Sequence, residues 1–161
     1  MSIPQRIRDY LDSQKVPYEW LPHPQAFTAQ EVAHSLHVSG KRLAKVVILD
    51  TDGRLVMAVL PASHRLNLPE LKAELAARHL EMLPESELLK IFPDCDLGAI
   101  PPMGNLYGID VWVDRAVVEA GEIVFTAGTH VDAVRMKYSD YAALVKPHEG
   151  RFSEVWASKA A

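Results

Sequence analysis

Leu43-Ala44-Lys45-Val46-Val47-Ile48-Leu49-Asp50-Thr51-Asp52-Gly53-Arg54-Leu55-Val56-Met57-Ala58-Val59-Leu60 is the stretch that decides the fold. Its two apolar runs, Leu43 to Leu49 and Leu55 to Leu60, are joined by Asp50-Thr51-Asp52-Gly53, and Asp-Gly is a strong signal for a tight hairpin turn. Both faces of each run are apolar. Such strands belong at the centre of a sheet, covered on both sides.

Upstream of the hairpin, Ile3, Ile7, Tyr10 and Leu11 recur at helical spacing and predict a helix over 3–15. Tyr18 to Leu21 is a strand candidate, ended by Pro22-His23-Pro24. Thr28-Ala29-Gln30-Glu31 has the form of a capping box for a helix carrying Val32, Ala33 and Leu36, stopped near Gly40. Downstream, Asn67 precedes a helix with Pro69 in its first turn, and a second helix spans Glu85 to Ile91. Two strands follow at Tyr107–Val113 and Ile123–Thr126, then a third at Ala133–Met136 and a helix capped by Ser139. The pattern stops at 146, so residues 1–146 are expected to form one domain and 147–161 a C-terminal tail. This order of elements describes an α+β domain around a central mixed, largely antiparallel sheet flanked by helices.

With 161 residues, 48% of them hydrophobic, the chain can bury roughly 70% of its unfolded surface in one core. No apolar stretch approaches the roughly 20 residues of a spanning helix, so no membrane partner is expected. The first residues carry no secretory signal, and a cytoplasmic protein is the expectation. A single cysteine, Cys95, leaves no internal disulfide and no multi-cysteine metal site. It lies between Asp94 and Asp96, whose field raises a thiol's pKa and makes it a poor nucleophile. His34 and His37 lack an evident third ligand, and no phosphate-loop, nucleophile-elbow or dinucleotide motif occurs. Neither metal nor cofactor is expected. The net charge of −4 speaks against a broad basic surface for nucleic acid, while leaving room for a local patch at Lys41-Arg42-Leu43-Ala44-Lys45.

Three features carry chemistry. Lys45 sits in an apolar strand, on the side of Leu43, Val47 and Leu49. A desolvated ammonium costs several kcal/mol without a partner, so this one either snorkels from the strand's end or meets an anion in a pocket. The loop Gly98-Ala99-Ile100-Pro101-Pro102-Met103-Gly104 combines permissive glycines with stiffening prolines. It suits a preorganised donor surface for an oxyanion, or serves as an ordinary connection. At a strand end, Ala127-Gly128-Thr129-His130 places an imidazole behind small residues, either as a structural histidine or as one that orients a reacting group.

In order and spacing these features resemble the YbaK/prolyl-tRNA-synthetase-associated editing family: a lysine on an early central strand (Lys45), a Gly-x-x-x-Pro loop (Gly98 to Pro102), and a small-residue strand end before His130. The Thr28-Ala29-Gln30-Glu31 segment is similar too, and the resemblance runs from about residue 5 to 146. It implies a small domain with a barrel-like mixed sheet and hydrolysis of the ester joining a wrong amino acid to the terminal adenosine of a tRNA. It implies that Lys45 anchors the terminal nucleotide, that Gly98 and its loop line the aminoacyl pocket, and that His130 holds or orients the substrate. Thr28, Ala99, Ile100, Pro101, Pro102, Met103, Gly104, Ala127, Gly128 and Thr129 are the associated substrate-binding candidates. The chain has no room for synthetase catalytic domains, so a free-standing enzyme acting in trans is expected. Its partners would be the aminoacyl-tRNA acceptor end and, transiently, a synthetase. Where relatives have a small polar residue before the second loop proline and an aromatic after it, this chain has Pro101 and Met103. Thr129 replaces the more basic turn of the cysteinyl-specific branch. These departures favour an alanine or serine/threonine type of substrate. A non-catalytic tRNA- or nucleotide-binding relative, or a protein-interaction module, are the alternative readings.

Overall fold

Asp52 and Gly53 both adopt positive φ, 52° and 86°, and Thr51 pairs directly with Arg54. The hairpin therefore closes through a two-residue turn whose backbone matches the twist of its arms. The structure, a computed structural model, describes residues 3–156. In chain order the elements are α1 (Ile3–Ser13), β1 (Glu19–Pro22), α2 (Ala29–Ser35), β2 (Ala44–Thr51), β3 (Arg54–Pro61), β4 (His64–Leu66), α3 (Leu68–Glu74), β5 (Leu80–Met82) and α4 (Glu85–Ile91). After a 3-10 turn at Gly104–Leu106 come β6 (Asp110–Asp114), α5 (Arg115–Glu119), β7 (Glu122–Thr126), β8 (Asp132–Lys137), α6 (Tyr138–Val145), β9 (His148–Gly150) and β10 (Ser153–Val155).

The expected α+β domain with a mixed sheet is what forms. Its central sheet has the order β5-β2-β3-β6-β9, antiparallel through β5, β2 and β3 and parallel from β3 to β6 to β9. Beside it lie the antiparallel sheets β1-β8-β7 and β10-β4. The barrel-like expectation is corrected, because the central sheet ends at β5 and β9 without closing.

Alternation along the hairpin splits its side chains between two cores. Ala44, Ile48, Met57 and Val59 join Ile7, Leu11, Phe92, Phe125 and Tyr141 on one face. Leu49, Val56 and Ala58 meet Leu71 and Phe152 on the other. Each large side chain so buried contributes about 1.5–3 kcal/mol, which is why the hairpin is central.

The capping residues act largely as their sequences imply. Thr28 accepts from Glu31 N–H at 3.1 Å, and Asn67 accepts from Glu70 N–H at 3.1 Å. Glu31 answers Thr28 through its side chain, its Oε1 accepting from the Thr28 hydroxyl at 3.2 Å. α6 departs from expectation: it starts at Tyr138 after Lys137, which makes no side-chain cap, so Ser139 is already inside it.

A patternless tail from 147 is also corrected as far as the described residues extend. β9 and β10 fall within it, and Phe152 between them is fully buried. Asp114 ties this segment down, accepting from Ala116 N–H (2.9 Å) at the start of α5 and from Phe152 N–H (2.8 Å). Residues 157–161 lie outside the described part.

One edge of β2 is incompletely paired, and this positions the site. Just before β2, Leu43 bridges Val124 of β7, and Val124 N–H donates to Arg42 O at 3.0 Å. At the far end β5 pairs with Leu49 to Thr51, extended by Leu83 N–H to Ile48 O at 3.0 Å. Between these attachments β7 diverges, and among the described residues no strand pairs with that edge over 44–47.

Candidate active site

The gap along β2 opens into a cavity of about 300 Å³, whose walls include Phe27, Thr28, Lys45, Gly98, Ile100 and Thr126. The lining brings the hairpin strand, the α2 cap, the glycine–proline loop and the end of β7 to one place. Most of it is apolar, and Lys45 is its cation.

Lys45 is half-buried, and desolvation pushes its ammonium's pKa below the ordinary lysine value. Among the described residues no carboxylate lies within ion-pair distance. Nζ instead lies over the ring of Trp156, 5.4 Å from the centroid. A cation in a mostly apolar wall, supported by an aromatic face alone, is set up to receive an anion.

Gly98 has φ +84°, and a Cβ there would stand 3.0 Å from Phe27 O and 3.8 Å from His130 Cε1. Both the backbone conformation and the close approach require glycine. The loop and the small-residue turn are clasped together: Asp96 N–H donates to Gly128 O and Gly128 N–H to Ala99 O, each at 2.8 Å. Gly128 itself has φ +93°. His130 lies behind the wall rather than in it, its ring 4.8 Å from that of Phe27. Its backbone O accepts from Ala26 N–H at 3.2 Å, which links the turn to the segment before α2.

The other expected substrate-binding residues divide by position. Thr28 and Ile100 line the cavity. Ala99 and Ala127 are fully buried behind it, and the Ala99 N–H is engaged by Asp96 O at 3.0 Å, so it is not a donor facing the cavity. Pro101, Pro102, Met103 and Gly104 are buried outside the lining. Met103 belongs to the main core, Pro102 O accepts from the Tyr141 hydroxyl, and a Cβ on Gly104 would come within 2.5 Å of Ile109 O. That part of the loop is held by packing. Thr129 donates its hydroxyl to Asp132 at 2.7 Å, a turn-stabilising bond that also leaves it out of the lining.

Phe27 and Trp156 enter the site without having been singled out from the sequence, and Thr126 enters it as the residue that opens the small-residue turn before His130. Phe27 only precedes a cap, and Trp156 lies where no periodicity shows. Cys95 is buried, and desolvation first, with Asp94 adding to it, pushes its thiol up to about 11, far from a nucleophile's range.

Comparison with known proteins adds independent findings. A family model described as an aminoacyl-tRNA editing domain matches residues 23–144. The proline–tRNA ligase of Streptococcus pneumoniae serotype 19F (strain G54) is 29% identical over 136 residues, covering 81% of this chain and 22% of that protein. The proline–tRNA ligase of Geobacillus thermodenitrificans is 29% identical over 94 residues, 58% of this chain and 16% of that one. The chain thus spans about a fifth of the length of these curated relatives. Among solved structures, a candidate trans-editing enzyme for prolyl tRNA synthetase superposes with a TM-score of 0.81 at 16% identity, covering 96% of this chain and 98% of that one.

Proposed function

The chain belongs to the aminoacyl-tRNA editing domain family, and from that premise we propose that it is an aminoacyl-tRNA deacylase acting on mischarged tRNA. The carrying observation is the half-desolvated ammonium of Lys45, without a carboxylate partner among the described residues, in the wall of the β2 gap. A terminal phosphate of the tRNA acceptor end is an anion that would offset its desolvation. Such a contact fixes the ester beside Gly98 and Thr28. His130 acts from behind, holding Phe27 and the Gly98 wall in place.

The chemistry asks for little more. An aminoacyl ester is activated, so positioning a water against its carbonyl and stabilising the oxyanion supply much of the rate. Vicinal ribose hydroxyls of the substrate can assist that water. Proofreading of this kind is needed because one methylene is worth only about 1–3 kcal/mol in a first binding step.

The departures from relatives at Pro101, Met103 and Thr129 favour an alanine or serine/threonine ester over a cysteine one, and since these residues lie outside the lining they would act through the packing behind it rather than by touching the substrate. Similarity to a candidate trans-editing enzyme supports action in trans, and similarity to proline–tRNA ligases supports a prolyl-tRNA context with a transient synthetase partner. The test is a deacylation panel of alanyl-, seryl-, threonyl-, cysteinyl- and prolyl-tRNA with the purified protein. Hydrolysis of one non-cognate ester, with prolyl-tRNA protected, is the expected outcome. Failure to hydrolyse any of them would refute the proposal.

A further inference from the structure

Trp156 is 49% exposed at the end of β10, yet its backbone is firmly placed. β10 pairs antiparallel with β4 through Ser153–Leu66, Glu154–Arg65 and Val155–His64, and Trp156 N–H donates to Ser63 O at 3.2 Å. Side chains reinforce this strand pair: Arg65 Nε meets Glu154 Oε1 at 3.1 Å, and His64 Nδ1 lies 2.9 Å from Ser153 Oγ. The indole is thereby carried to Lys45, whose Nζ lies over its ring 5.4 Å from the centroid. That is inside the roughly 6 Å at which a cation is drawn to an aromatic face. Lys45 lines the cavity, and the ring sits beside that lysine, outside the lining. Beyond the Ser63 turn, Lys41, Arg42, His64 and the carboxylate-bearing Glu119 line a second depression.

A half-exposed aromatic next to a cation is how proteins hold single-stranded nucleic acid. Phosphate meets the cation, and the base stacks on the ring whatever its identity. We propose that Trp156 is a stacking platform for the unpaired bases at the 3′ end of the tRNA, the terminal adenine first. The identity of the ligand rests on the deacylase reading; the platform itself rests on the placement of the indole.

Binding of an uncharged acceptor-stem minihelix ending in CCA, measured by calorimetry on the full chain, tests the platform. The comparison uses wild type, Trp156→Ala and Trp156→Phe, each also against a minihelix whose terminal sugar is abasic. Trp156→Ala is expected to weaken CCA binding about tenfold, and Trp156→Phe to keep most of the affinity. The abasic ligand should bind wild type and Trp156→Ala alike. In the deacylation assay KM should rise by a similar factor while kcat holds. Equal or tighter CCA binding by Trp156→Ala would overturn the platform, the tighter result marking the indole as a shield over Lys45. No CCA binding by wild type would overturn it as well. Hydrolysis unaffected by Trp156→Ala would remove the platform and leave the deacylase reading standing. CCA binding lost in Trp156→Ala, with no ester hydrolysed by wild type, would remove the deacylase reading and keep the platform.

Discussion

Lys45 faces the cavity because strand alternation and the gap beside β2 leave its amine only half in water. Its lowered pKa has a sign that can be checked. Between the lowered folded value and the ordinary 10.5, the unfolded chain binds more protons than the folded one, so Lys45's contribution to stability rises with pH across that window. Below it, the charged amine is a net cost of folding. Lys45→Met should therefore raise stability near neutral pH, by at most about 1 kcal/mol because the group is half solvated, and should flatten the rise at alkaline pH. Urea unfolding of both proteins across pH measures this; a Lys45→Met variant clearly less stable than wild type would contradict it. That the residue was anomalous was legible from seven apolar-flanked positions of sequence. Whether it snorkelled or faced a cavity was not, because that depends on where β7 leaves β2.

Among the elements, the hairpin was readable because eight-residue arms and an Asp-Gly turn are long, local signals. β4, β5, β9, β10 and α5 are three to five residues long, too short for a period to show. Their placement comes from distant partners instead. Asp114 illustrates this: one carboxylate caps α5 and holds Phe152 N–H, 38 residues away, while itself 4% exposed. Asp114→Ala should cost about 2–4 kcal/mol, since it removes a cap and orphans a buried donor. The loss should appear as a lower urea midpoint, with hydrogen exchange quickening in β9 and β10 first. Exchange confined to α5 would show that the C-terminal segment does not depend on this side chain.

At the scale of the whole molecule, the gap beside β2 is a product of topology. β7 and β5 attach to the two ends of one edge of β2 and leave its middle open, while the opposite edge is fully paired with β3. The loop from Gly98 and the turn at Gly128 are clasped together beside that opening, and β10 brings Trp156 to Lys45. The family resemblance implied a shared site for these segments, and the cavity wall holds Lys45, Gly98, Ile100 and Thr126, with His130 outside it. The resemblance did not foretell that Met103 and Gly104 would be absorbed by the core, since this requires knowing what packs beneath the loop. Among the described residues no helix is long and apolar enough to cross a membrane. The central claim is that the cation in the gap binds the end of the substrate, and single-turnover hydrolysis of the susceptible aminoacyl-tRNA by wild type and Lys45→Met tests it most directly. A rate lowered about 10- to 100-fold, the worth of one charge-assisted contact, in a variant that folds at least as stably is the expected result. An unchanged rate would contradict it.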